Sequence, residues 1–319
     1  MLQGLEFPKW AITELGCTHA CLAHLGVKIS RAWLYGGTAR AFLINVHEDV
    51  DVEAVTAFNR QRLLDLSPNL GFRVEGFSAE KEASGDQYID RQREAWTFVR
   101  SRLARGLPCY GWELKAPYGD YWLITGYDDV GYYYAGWETG GPTPWQKLGD
   151  QFIPVLDVRS LVPCAAASDA VVVREALKTA LWLAEHPKEW TVAEDAHGGP
   201  GAYEAWAASL EAGKAIRNHH AYNAWAWHET REMAVAFLEE AKARLNRADL
   251  DPLFDATIGD YSEVRDHLAA VVAKYPMPKD GWDNDTKVQD VETAVLLRQA
   301  GTAERQGLAT LGRIVAALE

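Results

Sequence analysis

Four cysteines, a handful of histidines and a few carboxylates at telling positions are the side chains of this sequence that could do covalent or metal chemistry. Cys17 and Cys21 lie one helical turn apart, with His19 and His24 on the same stretch. A thiol becomes a nucleophile only as the thiolate, which needs an imidazole beside it or the positive end of a helix. Neither histidine stands at an i, i+4 spacing from Cys17, and Cys17 falls about a turn inside its helix. A small buried thiol is the plainer reading of it. Farther on, His228 and Glu232 are one turn apart and could share a metal, but no third ligand stands at metal-site spacing, so no metal and no cofactor are expected. Glu229 falls on the apolar face of the same helix, a costly place for a carboxylate unless it is paired, by a hydrogen bond to the other domain or by an Arg. Asn223 lies on that helix too. Gly36-Gly37-Thr38 lacks the Gly-Lys-Ser/Thr of a phosphate loop and reads as a tight turn, leaving Arg40 to reach an anionic group or a surface carboxylate.

Position for these side chains must come from the elements around them. Residues 10 to 25 carry Ala11, Leu15, Thr18, Leu22 and Leu25 at helical spacing, closed by Gly26. Ser30 can cap a second short helix, followed by the glycine turn and a strand from Ala41 to Val46. Helix is expected over 51–70, strand over Phe72–Phe77, helix over Asp86–Leu103 and strand over Cys109–Leu114. The stretch Tyr118 to Trp137, YGDYWLITGYDDVGYYYAGW, then reads as a β-hairpin: β-prone Trp122 to Thr125, a turn through Gly126 to Gly131, and a second arm from Tyr132. Gly140 to Pro144 reads as a loop and Gln151 to Val158 as a last strand. Helices followed by an antiparallel sheet make an α+β domain.

Past Pro163 the composition turns to helix formers. Ser168 caps a helix that stops at His186-Pro187. Others are expected from Ala202 to Glu211, from His219 to Ala243 and, after Asp260, in two segments of which the last runs from about Asp285 to Leu318. The chain therefore divides into an α+β domain over 1–163 and an all-α helical domain over 164–319.

The hairpin phrase GDYWLITGYDDVGYYYAG, preceded by Gly106-Leu107-Pro108-Cys109-Tyr110-Gly111 and by the helix ending at Leu25-Gly26, resembles the catalytic half of papain-like domains of the bacteriocin-processing peptidase type. It is also similar to the N-terminal domain of the butirosin biosynthesis protein H family, which has that fold and transfers acyl groups. The resemblance spans roughly residues 8 to 160. It implies a papain-like N-terminal domain, with a Cys at the start of the first helix, a His on the hairpin's first arm and an Asp or Asn after the second. In this sequence those positions fall near Thr13, on Asp120 and near Gly136, so none is matched. Asp120 would raise the pKa of a thiol beside it, where an imidazolium lowers it.

Length, charge and composition bound the function. The 319 residues are 48% hydrophobic, and with thirteen Trp and thirteen Tyr they can build a large core or an aromatic pocket. A net charge of -13 argues against nucleic acid and anionic membrane surfaces as partners. Neither a membrane span nor a secretory signal is apparent, and a cytoplasmic location is expected. The expected function is non-catalytic binding of a small molecule or peptide in an aromatic cleft between the domains, with Trp10, Trp33, Tyr35, Arg40, Tyr121, Asn223 and Glu229 as ligand-binding candidates. The alternative is an acyltransferase or an amide or thioester hydrolase that uses Cys17, with Asp120, in an altered site.

Overall fold

The computed structural model describes residues 2, 4–116, 119–151, 153–278 and 286–319. Tyr118, at the head of the hairpin stretch, and Asp285, the expected start of the last helix, lie outside the described residues. In chain order the helices are α1 (Thr13–His24), α2 (Arg31–Gly37), α3 (Gln61–Leu64), α4 (Lys81–Ser84), α5 (Tyr88–Leu103), α6 (Asp169–Glu185), α7 (Gly201–Glu211), α8 (Arg217–Leu245), α9 (Asp251–Lys274) and α10 (Val291–Leu318). The strands are β1 (Asn45–His47), β2 (Phe72–Glu80), β3 (Cys109–Trp112), β4 (Tyr121–Tyr127), β5 (Gly131–Ala135), β6 (Thr139–Pro144), β7 (Val155–Pro163) and β8 (Ala196–Gly198). The chain is thus mixed α and β with antiparallel sheets, and it folds as two units, 1–30 with 71–166 and 31–70 with 167–319.

In the first unit the strands form one antiparallel sheet in the order β2-β7-β3-β4-β5-β6. Its centre follows from the pattern of β3 and β4, whose neighbouring side chains point to opposite faces. Cys109, Trp122 and Ile124 pack with Tyr88, Ala95, Trp96 and Val99 of α5. Tyr110, next in line on β3, turns the other way and its hydroxyl meets that of Thr18 on α1 at 3.3 Å. The sheet is therefore covered by α5 on one face and α1 on the other. Between β4 and β5 the turn is tighter than the glycines suggest, because Asp128 Oδ1 accepts the amides of Val130 (2.8 Å) and Gly131 (3.0 Å) and lets both strands run up to it.

Expectations for the first 163 residues are revised: the strand Ala41–Val46 shrinks to β1, Gly36-Gly37 ends α2 in place of a turn, the last strand shifts to β7, and three further changes have a visible cause. Gly140 to Pro144 is not a loop: it belongs to β6 at the sheet edge, where two prolines are tolerated because one side of the strand needs no ladder donor. Residues 51–70 form α3 and short 3-10 turns at Val52–Val55 and Ser67–Leu70 in place of a helix. Asp51 and Asn59 bond the amides of Glu53 and Gln61, a local alternative to the helical ladder. The segment 31–70, read as part of the first domain, packs with the helices of the second unit.

The cause of that last arrangement is at α8. Arg231, fully buried, grips Glu304 of α10 through Nη2 (2.7 Å) and Nε (2.9 Å), while its Nη1 donates to the carbonyls of Ala41 and Leu43, each at 3.0 Å. Phe42 between them lies edge-on to Phe237 and Tyr261. Gly36 on α2 approaches the Phe237 ring so closely that a Cβ there would lie 1.9 Å from it. This second unit is helical but not all-α, since β1 pairs antiparallel with β8 and satisfies backbone groups that neither short segment could satisfy alone. Ser168 caps α6 by accepting the Val171 amide, and the helix ends at Glu185 just before His186-Pro187. Among the described residues no helix is long and apolar enough to cross a membrane.

Candidate functional site

Thr13 opens α1, and its backbone neighbour Ile12 offers no side-chain cap. The Thr13 hydroxyl instead reaches the sheet: it accepts the amide of Tyr121 at 3.0 Å and donates to Asp120 Oδ1 at 3.2 Å. Asp120 stands immediately before β4. Its other oxygen, Oδ2, accepts the indole N–H of Trp137 at 2.9 Å. Trp137 follows β5, and the register of the hairpin, Leu123 opposite Ala135, brings residues just past Ala135 back to the level of Asp120. Three positions 107 and 17 residues apart in the chain thus converge on one carboxylate.

Burial pushes the Asp120 carboxyl up to about 6, against the pull of the Trp137 and Thr13 hydrogen bonds toward lower values. Phe7 stands edge-on to Trp137 with ring centroids 5.7 Å apart, and Trp10 leans on His19 at 5.0 Å. Phe7, Trp10, Trp137 and Asp120 are all half-buried, so water reaches this end of α1. Tyr121 is not open in this way: it is 3% exposed and packs edge-on to Trp112 and Tyr110.

Gly136 is closed to any side chain. A Cβ there would lie 2.2 Å from the Trp122 ring, so neither Asp nor Asn fits without displacing a fully buried indole. Cys17 has no exposed surface, and burial, with the charges of Cys21 and Asp120 adding to it, holds its thiol well above the ordinary value. Cys21 and Cys109 are likewise buried and pushed up, chiefly by burial. Thiolate chemistry has no foothold at these three.

The remaining candidates belong to the second unit and do not gather on one point. Glu229 accepts the Tyr35 hydroxyl at 2.5 Å and meets Arg31 Nη2 at 2.6 Å. That is the Arg partner a carboxylate on an apolar face requires. Asn223 spends its amide on the carbonyls of Val50, Asp51 and His219 and accepts the indole N–H of Trp227, which ties α8 to the chain after β1. Arg40 is buried between the rings of Phe58 and Trp227, 5.0 and 5.2 Å from their centroids, and donates to the Val55 carbonyl. It does not extend to the surface. Trp33 lies under the Arg244 guanidinium at 4.0 Å and against Phe237. Among the described residues no three His, Cys, Asp or Glu side chains gather as metal ligands, His228 and Glu232 included.

Residue types alone do not announce Phe7, Trp137 or Arg31 as members of these clusters. For Trp137 the register of the folded hairpin, Leu123 opposite Ala135, carries it back to the level of Tyr121, next to Asp120. For Arg31 the signal was the need of Glu229 for a cation. Compared with protein-family models the chain gives no match, and compared with curated proteins it gives none either.

Proposed function

We propose that residues 1–30 and 71–166 form a papain-like domain that has exchanged its catalytic residues for a binding site and holds a small molecule or peptide without turning it over. One observation carries this reading. The positions that the resemblance assigns to the nucleophile and the base, Thr13 and Asp120, stand in hydrogen-bond contact at the start of α1, yet neither carries the required group. Asp120 approaches an imidazole in basicity, but Thr13 is 4% exposed and its hydroxyl both donates to Asp120 and accepts from Tyr121, so attack on a carbonyl would first have to break the buried hydrogen bond from the Tyr121 amide. The third position, Gly136, has no room for a side chain. The half-buried aromatics around Asp120 supply the kind of surface on which ligands settle.

The alternative of an acyl-transferring Cys17 gains no support, because a fully buried thiol with a raised pKa is a poor nucleophile. The test pairs a search for co-purified ligand by native mass spectrometry with assays on amide and thioester substrates. Ligand binding without turnover is expected. Turnover that disappears on Thr13→Val, Asp120→Asn or Cys17→Ala would overturn the reading.

A further inference from the structure

Among the described residues four other buried carboxylates meet a cation, while Glu113 accepts the Ile153 amide on both oxygens. Glu229 meets Arg31 at 2.6 Å, Glu304 meets Arg231 at 2.7 Å, Asp157 meets Arg159 at 2.7 Å and Asp290 meets Lys274 at 2.7 Å. Asp120 differs from those four. Its partners are one hydroxyl and one indole N–H, and among the described residues no Lys, Arg or His stands within ion-pair distance of it. A desolvated carboxylate without a counter-charge is expensive to keep. Thr13 and Trp137 occupy one acceptor position on each oxygen, and an ionised carboxylate has about four. Trp137, bonded to Asp120 through its indole N–H, and its edge-on neighbour Phe7 are half-buried rings of the type over which organic cations rest. The net charge of -13 raises the local concentration of cations around the whole chain.

We propose that Asp120, with the rings of Trp137 and Phe7, is a binding site for the primary ammonium group of an apolar small molecule. The inference deepens the non-catalytic reading and rests on it. Asp120 supplies the counter-charge, and the two rings take up the apolar body. The titratable groups on the adjoining α1 are Glu14, Cys17, which senses the Asp120 charge and stays a thiol, His19, Cys21 and His24; nearest on the sheet side are Glu113, whose amide bonds the Asp120 carbonyl, and Glu138, paired with Lys115. Cation binding therefore follows the ionisation of Asp120 and weakens as pH falls through about 6.

The probe is benzylammonium, with benzyl alcohol as its neutral counterpart, titrated into the full chain by calorimetry well above and well below the Asp120 pKa. Saturable binding of benzylammonium is expected at the higher pH. It should weaken about tenfold or more at the lower pH and in Asp120→Asn, with no saturable binding of benzyl alcohol. Equal binding of the two probes, no saturable binding of benzylammonium, or full binding to a folded Asp120→Asn protein would overturn the site. Should Asp120→Asn lose its circular dichroism signal, the comparison of the wild-type protein at the two pH values decides alone. A sample that binds no cation and turns over no thioester overturns the site only; thioester turnover lost on Thr13→Val overturns the reading beneath it, and the site with it.

Discussion

At Asp120 two effects oppose each other, and their balance is measurable. Desolvation disfavours the carboxylate, while donors on both oxygens favour it, and desolvation wins. A shift from 3.8 to about 6 corresponds to roughly 2 to 3 kcal/mol held against the ionised form, allowing for the water that still reaches the residue. Because the folded-state pKa lies above the unfolded one, the folded state holds the proton more tightly. Asp120 therefore withdraws stability as pH rises from 3.8 to about 6 and withdraws no more beyond that. Chemical denaturation across that window should show a slope that Asp120→Asn removes; an unchanged slope would assign the titration elsewhere. Gly136 makes a sharper residue-scale case, since a Cβ would meet the Trp122 ring at 2.2 Å. Gly136→Ala is expected to cost about 2 kcal/mol or more, read as a lowered urea midpoint at constant slope, whereas a neutral effect would mean the indole has room to move.

Among the elements, α8 does most to decide which parts of the chain belong together. Nothing local in residues 31–70 marks them as partners of helices that begin a hundred residues later. The most buried polar link is a guanidinium at 0% exposure whose donors are divided between a carboxylate on α10 and two carbonyls near β1. Removing it would leave Glu304 buried without its cation, the costliest way to break such a pair. Arg231→Ala should lose about 3 to 5 kcal/mol, and hydrogen exchange should rise first at Leu43 and its neighbours. If exchange rises evenly through α9 and α10 with 31–70 still protected, the contact is not what holds the segment. The hairpin β4–β5 is the opposite kind of element. Its β-branched and aromatic arms and an Asp-bearing turn are local signals, which is why its place was legible in the sequence while the membership of 31–70 was not.

For the whole molecule, the change of composition past Pro163 falls close to the boundary at Ala166, and α8 lies close to the helix expected from His219 to Ala243, whereas α9 begins at Asp251, ahead of Asp260, and α10 only at Val291. What the residues concealed were non-local matters: the strand β6 behind a Gly-Pro-rich phrase, the β1–β8 pairing, and the meeting of Thr13, Asp120 and Trp137. Each depends on register or on a partner far along the chain. The candidate site was visible only as a set of positions, without the contacts that join them. The central claim is that positions 13 and 120 stand where a nucleophile and its base stand in a papain-like domain. It is tested most directly by restoring both, Thr13→Cys with Asp120→His, in a Cys164→Ser background, and following thiolate absorbance against pH. The buried thiols of Cys17, Cys21 and Cys109 stay silent below alkaline pH. A thiolate that forms with a midpoint well below the ordinary value of about 8.5 is the predicted result; a midpoint at or above that value would contradict the account.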